Sequence, residues 1–153
     1  MPSLNFTYKP ELVKEGIKRQ TIRPVQNREY KEGDILHLFK GLRTPNCEKL
    51  GVALCSEVFK IRMELSLSFP SIRVYDGTTL TKAEREDIAK RDGFENEEQM
   101  WLWFRHRYKC ADWIFWVIRW HKPFLFHLPG EMRVRRPNEL RKLLEEKARE
   151  EMT

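Results

Sequence analysis

The sequence predicts a mixed α+β domain, and three observations carry that reading. Apolar runs beginning at Ile35 and at Leu50 read as strands, two helix-start signals follow closely on one another at Thr81 and Asn96, and the aromatic run WIFWVIRW, Trp113 to Trp120, reads as a late strand. Strands, two adjacent helices and then strands make an α+β chain.

Pro10 suits a first helical position, Leu12 and Val13 offer an apolar edge and Gly16 supplies a left-handed stop, so residues 10–15 are predicted as a short helix. Pro24 ends whatever follows Gly16, which leaves a turn and a strand of about five residues in GIKRQTIRP. YKEGD, Tyr30 to Asp34, is a turn before the strand at Ile35, and GLRTPNCEK is a loop. In LGVALCSEVFKIRMEL, Ala53, Cys55, Phe59 and Ile61 share one parity and Ser56, Lys60 and Arg62 the other, which predicts one long strand or two joined by a bend. Residues 69–79 look irregular, with a tight turn at Asp76-Gly77.

Thr81-Lys82-Ala83-Glu84 is a capping box and Gly93 a stop, and Asn96-Glu97-Glu98-Gln99 repeats the pattern. The second helix runs to about Tyr108 with Met100, Phe104 and Tyr108 on one face. Phe124 to Leu128 is a candidate strand. After Pro129-Gly130 the chain turns charged, and Leu140, Leu143, Leu144 and Ala148 form a narrow stripe on a helix capped by Asn138, expected as an appendage over 129–153 beside a domain over 1–128.

The 153 residues suit one domain, and the net charge of +6 favours anionic partners such as nucleic acid. No apolar run approaches the roughly 20 residues that span a bilayer, so no membrane association is expected. The start, MPSLNFTYKPEL, lacks a basic segment followed by an apolar core, which leads to an expected cytoplasmic location. Cys47, Cys55 and Cys110 include no C-x-x-C pair and the four histidines are scattered; buried free thiols are expected, with no metal and no cofactor. His37 and His106 read as structural, and the five tryptophans as mostly core, with one or two available to stack on a base.

Gly16, Lys18 and Arg23 fit G-x-K-x-x-x-x-R, and in this the chain resembles the ASCH family, whose fold is similar to the RNA-binding PUA domain. YKEGD before an apolar strand, the helix ending AKRDGF, an aromatic second helix and WIFWVIRW come in that family's order, over roughly residues 4–121. The resemblance implies a small PUA-like β-barrel with flanking helices. It also implies a basic cleft for RNA or a modified nucleoside, with Gly16, Arg19 and Arg23 as binding residues. Bacterial members that hydrolyse N4-acetylcytidine use a lysine, a threonine three residues later and an acidic residue, which here fall on Lys18, Thr21 and Asp92, the last where the family pattern has glutamate.

Read as chemistry, the three form a nucleophile, base and acid set. A threonine hydroxyl attacks poorly until a neighbour takes its proton, and a helix C-terminus disfavours the charged form of Asp92, which suits a general acid. Side chains three apart in a strand face opposite ways, so Lys18 and Thr21 can share a cleft only if Lys18 belongs to the turn after Gly16. The expected function is therefore binding of RNA or a nucleoside, with amidohydrolase activity on an N4-acylated cytidine. A non-catalytic single-strand binding module, a nuclease, and an adaptor that docks a protein through its C-terminal helix are the alternatives.

Overall fold

The structure, a computed structural model, describes residues 2–65, 71–74, 77–109, 112–125 and 137–152. Their order is β1 (Ser3–Asn5), α1 (Pro10–Lys14), β2 (Gln20–Pro24), β3 (Ile35–Lys40), β4 (Glu48–Glu64), β5 (Ser71–Val74), α2 (Lys82–Arg91), α3 (Glu97–Tyr108), β6 (Trp113–Trp120) and α4 (Pro137–Met152). The class is mixed α+β, as the sequence predicts. The strands follow the path β1-β3-β4-β6-β2, with β5 added on β4. That path is open, which corrects the closed barrel implied by the resemblance. β1 has only three residues, and β2 ends in Pro24, which lacks the N–H a closing ladder needs.

The chain falls into two compact units, one of residues 1–19, 31–56 and 120–153 and the other of residues 20–30 and 57–119. In the first, β1 pairs in parallel with β3, and β3 pairs antiparallel with β4, Ile35 lying opposite Leu54 and Leu38 opposite Gly51. Pro10 opens α1, and Gly16 at φ 78° closes it, the Ile17 and Lys18 N–H groups both donating to Leu12 O at 2.9 and 3.0 Å. Lys18 thus belongs to the turn and β2 starts at Gln20, so strand parity does not constrain Lys18.

The C-terminal helix is not an appendage. Leu144 is 2% exposed and packs with Ile35 and Val52, flanked by Leu140 and Phe124. Arg141 donates to Gly33 O, and Glu151 pairs with Arg19. The stripe is narrow because it fills one seam over β3 and β4, so the expected boundary after residue 128 falls inside a packed unit. The helix begins at Pro137, which places Asn138 in its first turn and not at the cap. Phe124 forms an isolated bridge to Val52 and Leu125 is in no strand; residues 126–128 of the expected strand lie outside the described residues, as do Asp76, Cys110 and the Pro129-Gly130 boundary. Cys55 is buried, but Cys47 is exposed on the loop before β4, which corrects the expectation of buried thiols there.

In the second unit β2 pairs antiparallel with β6, Thr21 opposite Ile118 and Arg23 opposite Trp116. β4 pairs with β5, a strand the irregular reading of residues 69–79 missed, although Ile72 and Val74 alternate with polar residues. The capping box forms on both sides: Thr81 Oγ1 accepts from the Glu84 N–H, and Glu84 Oε1 accepts from the Thr81 N–H. Asn96 caps α3 by accepting from the Gln99 N–H, and Met100 and Phe104 face the core. Buried Glu97 joins the two helices, taking Arg85 of α2 and the Trp101 indole N–H, the latter at 3.0 Å. No helix among the described residues is long and apolar enough to cross a membrane.

Leu144→Ala is expected to cost about 2–5 kcal/mol, the usual range for a buried leucine, and to lower the melting temperature by about 2–4 °C per kcal/mol. An unchanged thermal transition would contradict the packing of α4. A second expectation concerns His37, half-buried on β3 with Nδ1 3.2 Å from Lys49 Nζ. Burial first and the Lys49 charge second lower its pKa from 6.5 to about 4. The unfolded chain takes up that proton near 6.5 and the folded one not until about 4, so this contribution to stability is present above the upper value and lost as pH falls through the window. The urea midpoint should therefore fall less between pH 7 and pH 4.5 in His37→Gln than in the parent chain; equal falls would contradict it.

Candidate functional site

In the second unit the site starts from three consecutive buried residues, Gln20, Thr21 and Ile22, which means that both faces of β2 are covered. Gln20, 1% exposed, donates from Nε2 to Ile88 O at 3.0 Å and to Asp92 Oδ1 at 3.1 Å. Its Oε1 accepts from Arg119 Nε at 2.9 Å, and Arg119 Nη1 reaches Glu57 Oε2 at 3.0 Å. Asp92 is the C-cap of α2, held there by its own N–H donating to Ile88 O, and is 4% exposed. A buried carboxylate needs donors, and the Gln20 amide supplies one while it also takes up the end carbonyl of Ile88.

Thr21, 5% exposed, accepts from Arg23 Nε at 3.3 Å, which leaves the hydroxyl proton able to point elsewhere. Arg23 is half-buried. Burial lowers its pKa from the ordinary value, and Tyr30, Asp92 and Tyr108 pull the other way. Burial likewise raises the Tyr108 hydroxyl, against Arg107 and Arg23 and with Asp92. Tyr108 stacks on Phe104 and meets Phe115 edge-on, so its ring is fixed. Arg23 is thus the link: a poorly solvated cation bonded to the Thr21 hydroxyl on its own face of β2 and attracted by the Asp92 carboxylate, which Gln20 holds on the other.

Lys18, Arg19 and Gly16 belong to the first unit. Lys18 is 4% exposed, with Nζ 5.5 Å from the centre of the Phe6 ring and 5.9 Å from that of Tyr8, distances suited to cation–π attraction. Arg19 donates from Nε to Gly16 O at 2.8 Å and pairs with Glu151 of α4, so part of the charge expected at a ligand holds the turn and the helix.

Gln20 and Arg119 were not singled out from the sequence, where nothing distinguishes them from solvated polar residues. An open hollow of about 560 Å³ in the second unit is lined by Phe59, Leu80, Ile88, Glu57 and Arg119 among others, and has neither Thr21 nor Asp92 in its lining. Among the described residues no cluster of His, Cys, Asp and Glu could hold a metal ion. Comparison of the chain with protein-family models, with curated proteins and with solved structures gives no match.

Gln20→Leu preserves bulk and leaves Ile88 O and Asp92 without the amide and Arg119 without its acceptor. It is expected to destabilise the chain by about 1–3 kcal/mol in urea unfolding, the cost of an unmatched buried polar group. An unchanged midpoint would mean that the network is not formed.

Proposed function

We propose that the chain is an ASCH-type protein that takes RNA or a modified nucleoside beside Thr21, Arg23 and Asp92, and that its reaction is hydrolysis of the N4-acyl amide of a cytidine. The observation that supports this best is the burial of Thr21 and Asp92 around a poorly solvated Arg23, because a surface strand has no need to withdraw a hydroxyl, a carboxylate and a guanidinium from water together. In this reading Thr21 Oγ attacks the acyl carbon and gives up its proton to a general base, the part that the resemblance assigns to a lysine. Asp92 gives a proton to N4 as the C–N bond breaks. Water, giving a proton to the Asp92 carboxylate, then cleaves the acyl-threonine ester, and the protonated base returns its proton to Thr21 Oγ as the acid leaves.

The reading that the chain only binds shares Arg23 and has no use for the Thr21 hydroxyl. Its support is the net charge of +6 together with that cation. The adaptor reading loses its surface, since the α4 stripe is buried in its own unit at Leu144.

Acetate release from N4-acetylcytidine tests the proposal. Lys18→Met keeps the stem against Phe6 and Tyr8, and it is expected to lower kcat by about 10²–10⁴-fold, the usual worth of a general base. Thr21→Val should abolish acyl transfer. Wild-type protein that binds RNA or cytidine without releasing acetate would leave the binding module in place of the enzyme.

A further inference from the structure

Glu57 and Phe59, two apart on β4, share one face of the sheet, and Glu84, Asp87 and Ile88 lie on one face of α2. Both faces line the open hollow of about 560 Å³ in the second unit, a volume within the roughly 300–1,000 Å³ of small-molecule sites. Its floor is apolar: Leu80 and Ile88 are buried, and Phe59 and Val74 stay partly open to water. Its charge is the reverse of the chain's. Glu57, Glu84 and Asp87 line it against one cation, Arg119, in a protein of net charge +6. That cation is already engaged, with Nε on Gln20 Oε1, Nη1 on Glu57 Oε2 and the guanidinium 5.1 Å from the centre of the Phe59 ring. Glu84 and Asp87 are exposed. The Thr81 N–H, donating to Glu84 Oε1, holds that carboxyl below its usual range, and Asp87 pairs at 2.9 Å with exposed Arg91, a contact of little strength in water. A carboxylate accepts several hydrogen bonds, so each of the two has room for a further donor.

We propose that this hollow binds a small organic ammonium ion, its aryl or branched alkyl body resting on Val74, Leu80 and Ile88 and its cation meeting Glu84 and Asp87 at the rim. The charge balance selects the ligand. An anion would face three carboxylates and find the guanidinium of Arg119 taken up by Gln20, Glu57 and Phe59, whereas an ammonium donates to carboxylates already held on one face of a helix. A neutral body gains only the floor. The site is separate from Thr21 and Asp92, which do not line it, and it does not depend on the hydrolysis proposed above.

The test is titration of the full chain, labelled with carbon-13 in its methyl groups, with 2-phenylethylammonium, 2-phenylethanol and 3-phenylpropionate, which share a body and differ in charge. The ammonium is expected to bind at roughly millimolar strength, as suits a fragment of this size, and to shift the methyl resonances of Val74, Leu80, Ala83 and Ile88. It should bind about tenfold tighter than the alcohol, the effect of two exposed ion pairs, and the carboxylate should bind more weakly still. Glu84→Gln combined with Asp87→Asn should bring the ammonium down to the alcohol; the glutamine still serves the capping box, so the helix start is kept. Ala83 is exposed and lines the same hollow, and Ala83→Phe, which puts a ring into it, should abolish the shifts for all three probes. Shifts confined to other methyl groups, an alcohol or carboxylate that binds as tightly as the ammonium, or an affinity unmoved by either variant would overturn the site. So would the lack of any shift at tens of millimolar ammonium.

Discussion

The second unit depends on one buried carboxamide. Gln20 spends its donors on the end of α2, at Ile88 O and the Asp92 carboxylate, and its acceptor on Arg119 of β6, which in turn reaches Glu57 of β4. Gln20 and Asp92 would be costly to bury alone and satisfy one another, and the part-buried Arg119 carries the chain of bonds out to exposed Glu57. The network fixes where the helix ends against the strand, with Asp92 on the face of β2 that Gln20 occupies.

The charge of GIKRQTIRP is not the solvated face that its composition suggests. Lys18 is buried over Phe6 and Tyr8, Arg19 is paired with Glu151 and bonded to Gly16 O, and Arg23 is half-buried beside Thr21. Within each unit, therefore, the cations of this stretch are drawn inward, one onto aromatic rings, one onto a helix and one into a group containing a hydroxyl and a carboxylate. Poorly hydrated cations bind anions and carbonyl oxygens more strongly than exposed ones, since less water has to be removed. That asymmetry links the buried chemistry of the segment to its proposed use.

Local signals in the sequence are realised as local structure. Pro10 and Gly16 bound α1, Thr81 with Glu84 starts α2, Asn96 starts α3, and the aromatic density of WIFWVIRW becomes β6. What the sequence does not disclose is long-range. The partners of Gln20 lie 68, 72 and 99 residues away, and a glutamine carries no periodic or propensity signal that would announce a buried bridge. The stripe of α4 is legible as a stripe, but which strands it covers depends on the path of the chain, and its narrowness suggested exposure when it reflects a single seam. β5 is too short for its alternation to stand out. The position of Lys18 outside β2 follows from the left-handed Gly16, which the sequence does indicate.

The most direct test is the side-chain amide resonance of Gln20, observed by nitrogen-15 NMR while N4-acetylcytidine is added. The account predicts amide protons protected from exchange in the free protein, as for a carboxamide bonded on both sides, and a shift on addition of the ligand as Asp92 meets the substrate nitrogen. Rapidly exchanging amide protons, or a resonance that does not respond to a ligand shown to bind, would contradict the claim that this bridge orients the carboxylate of the site.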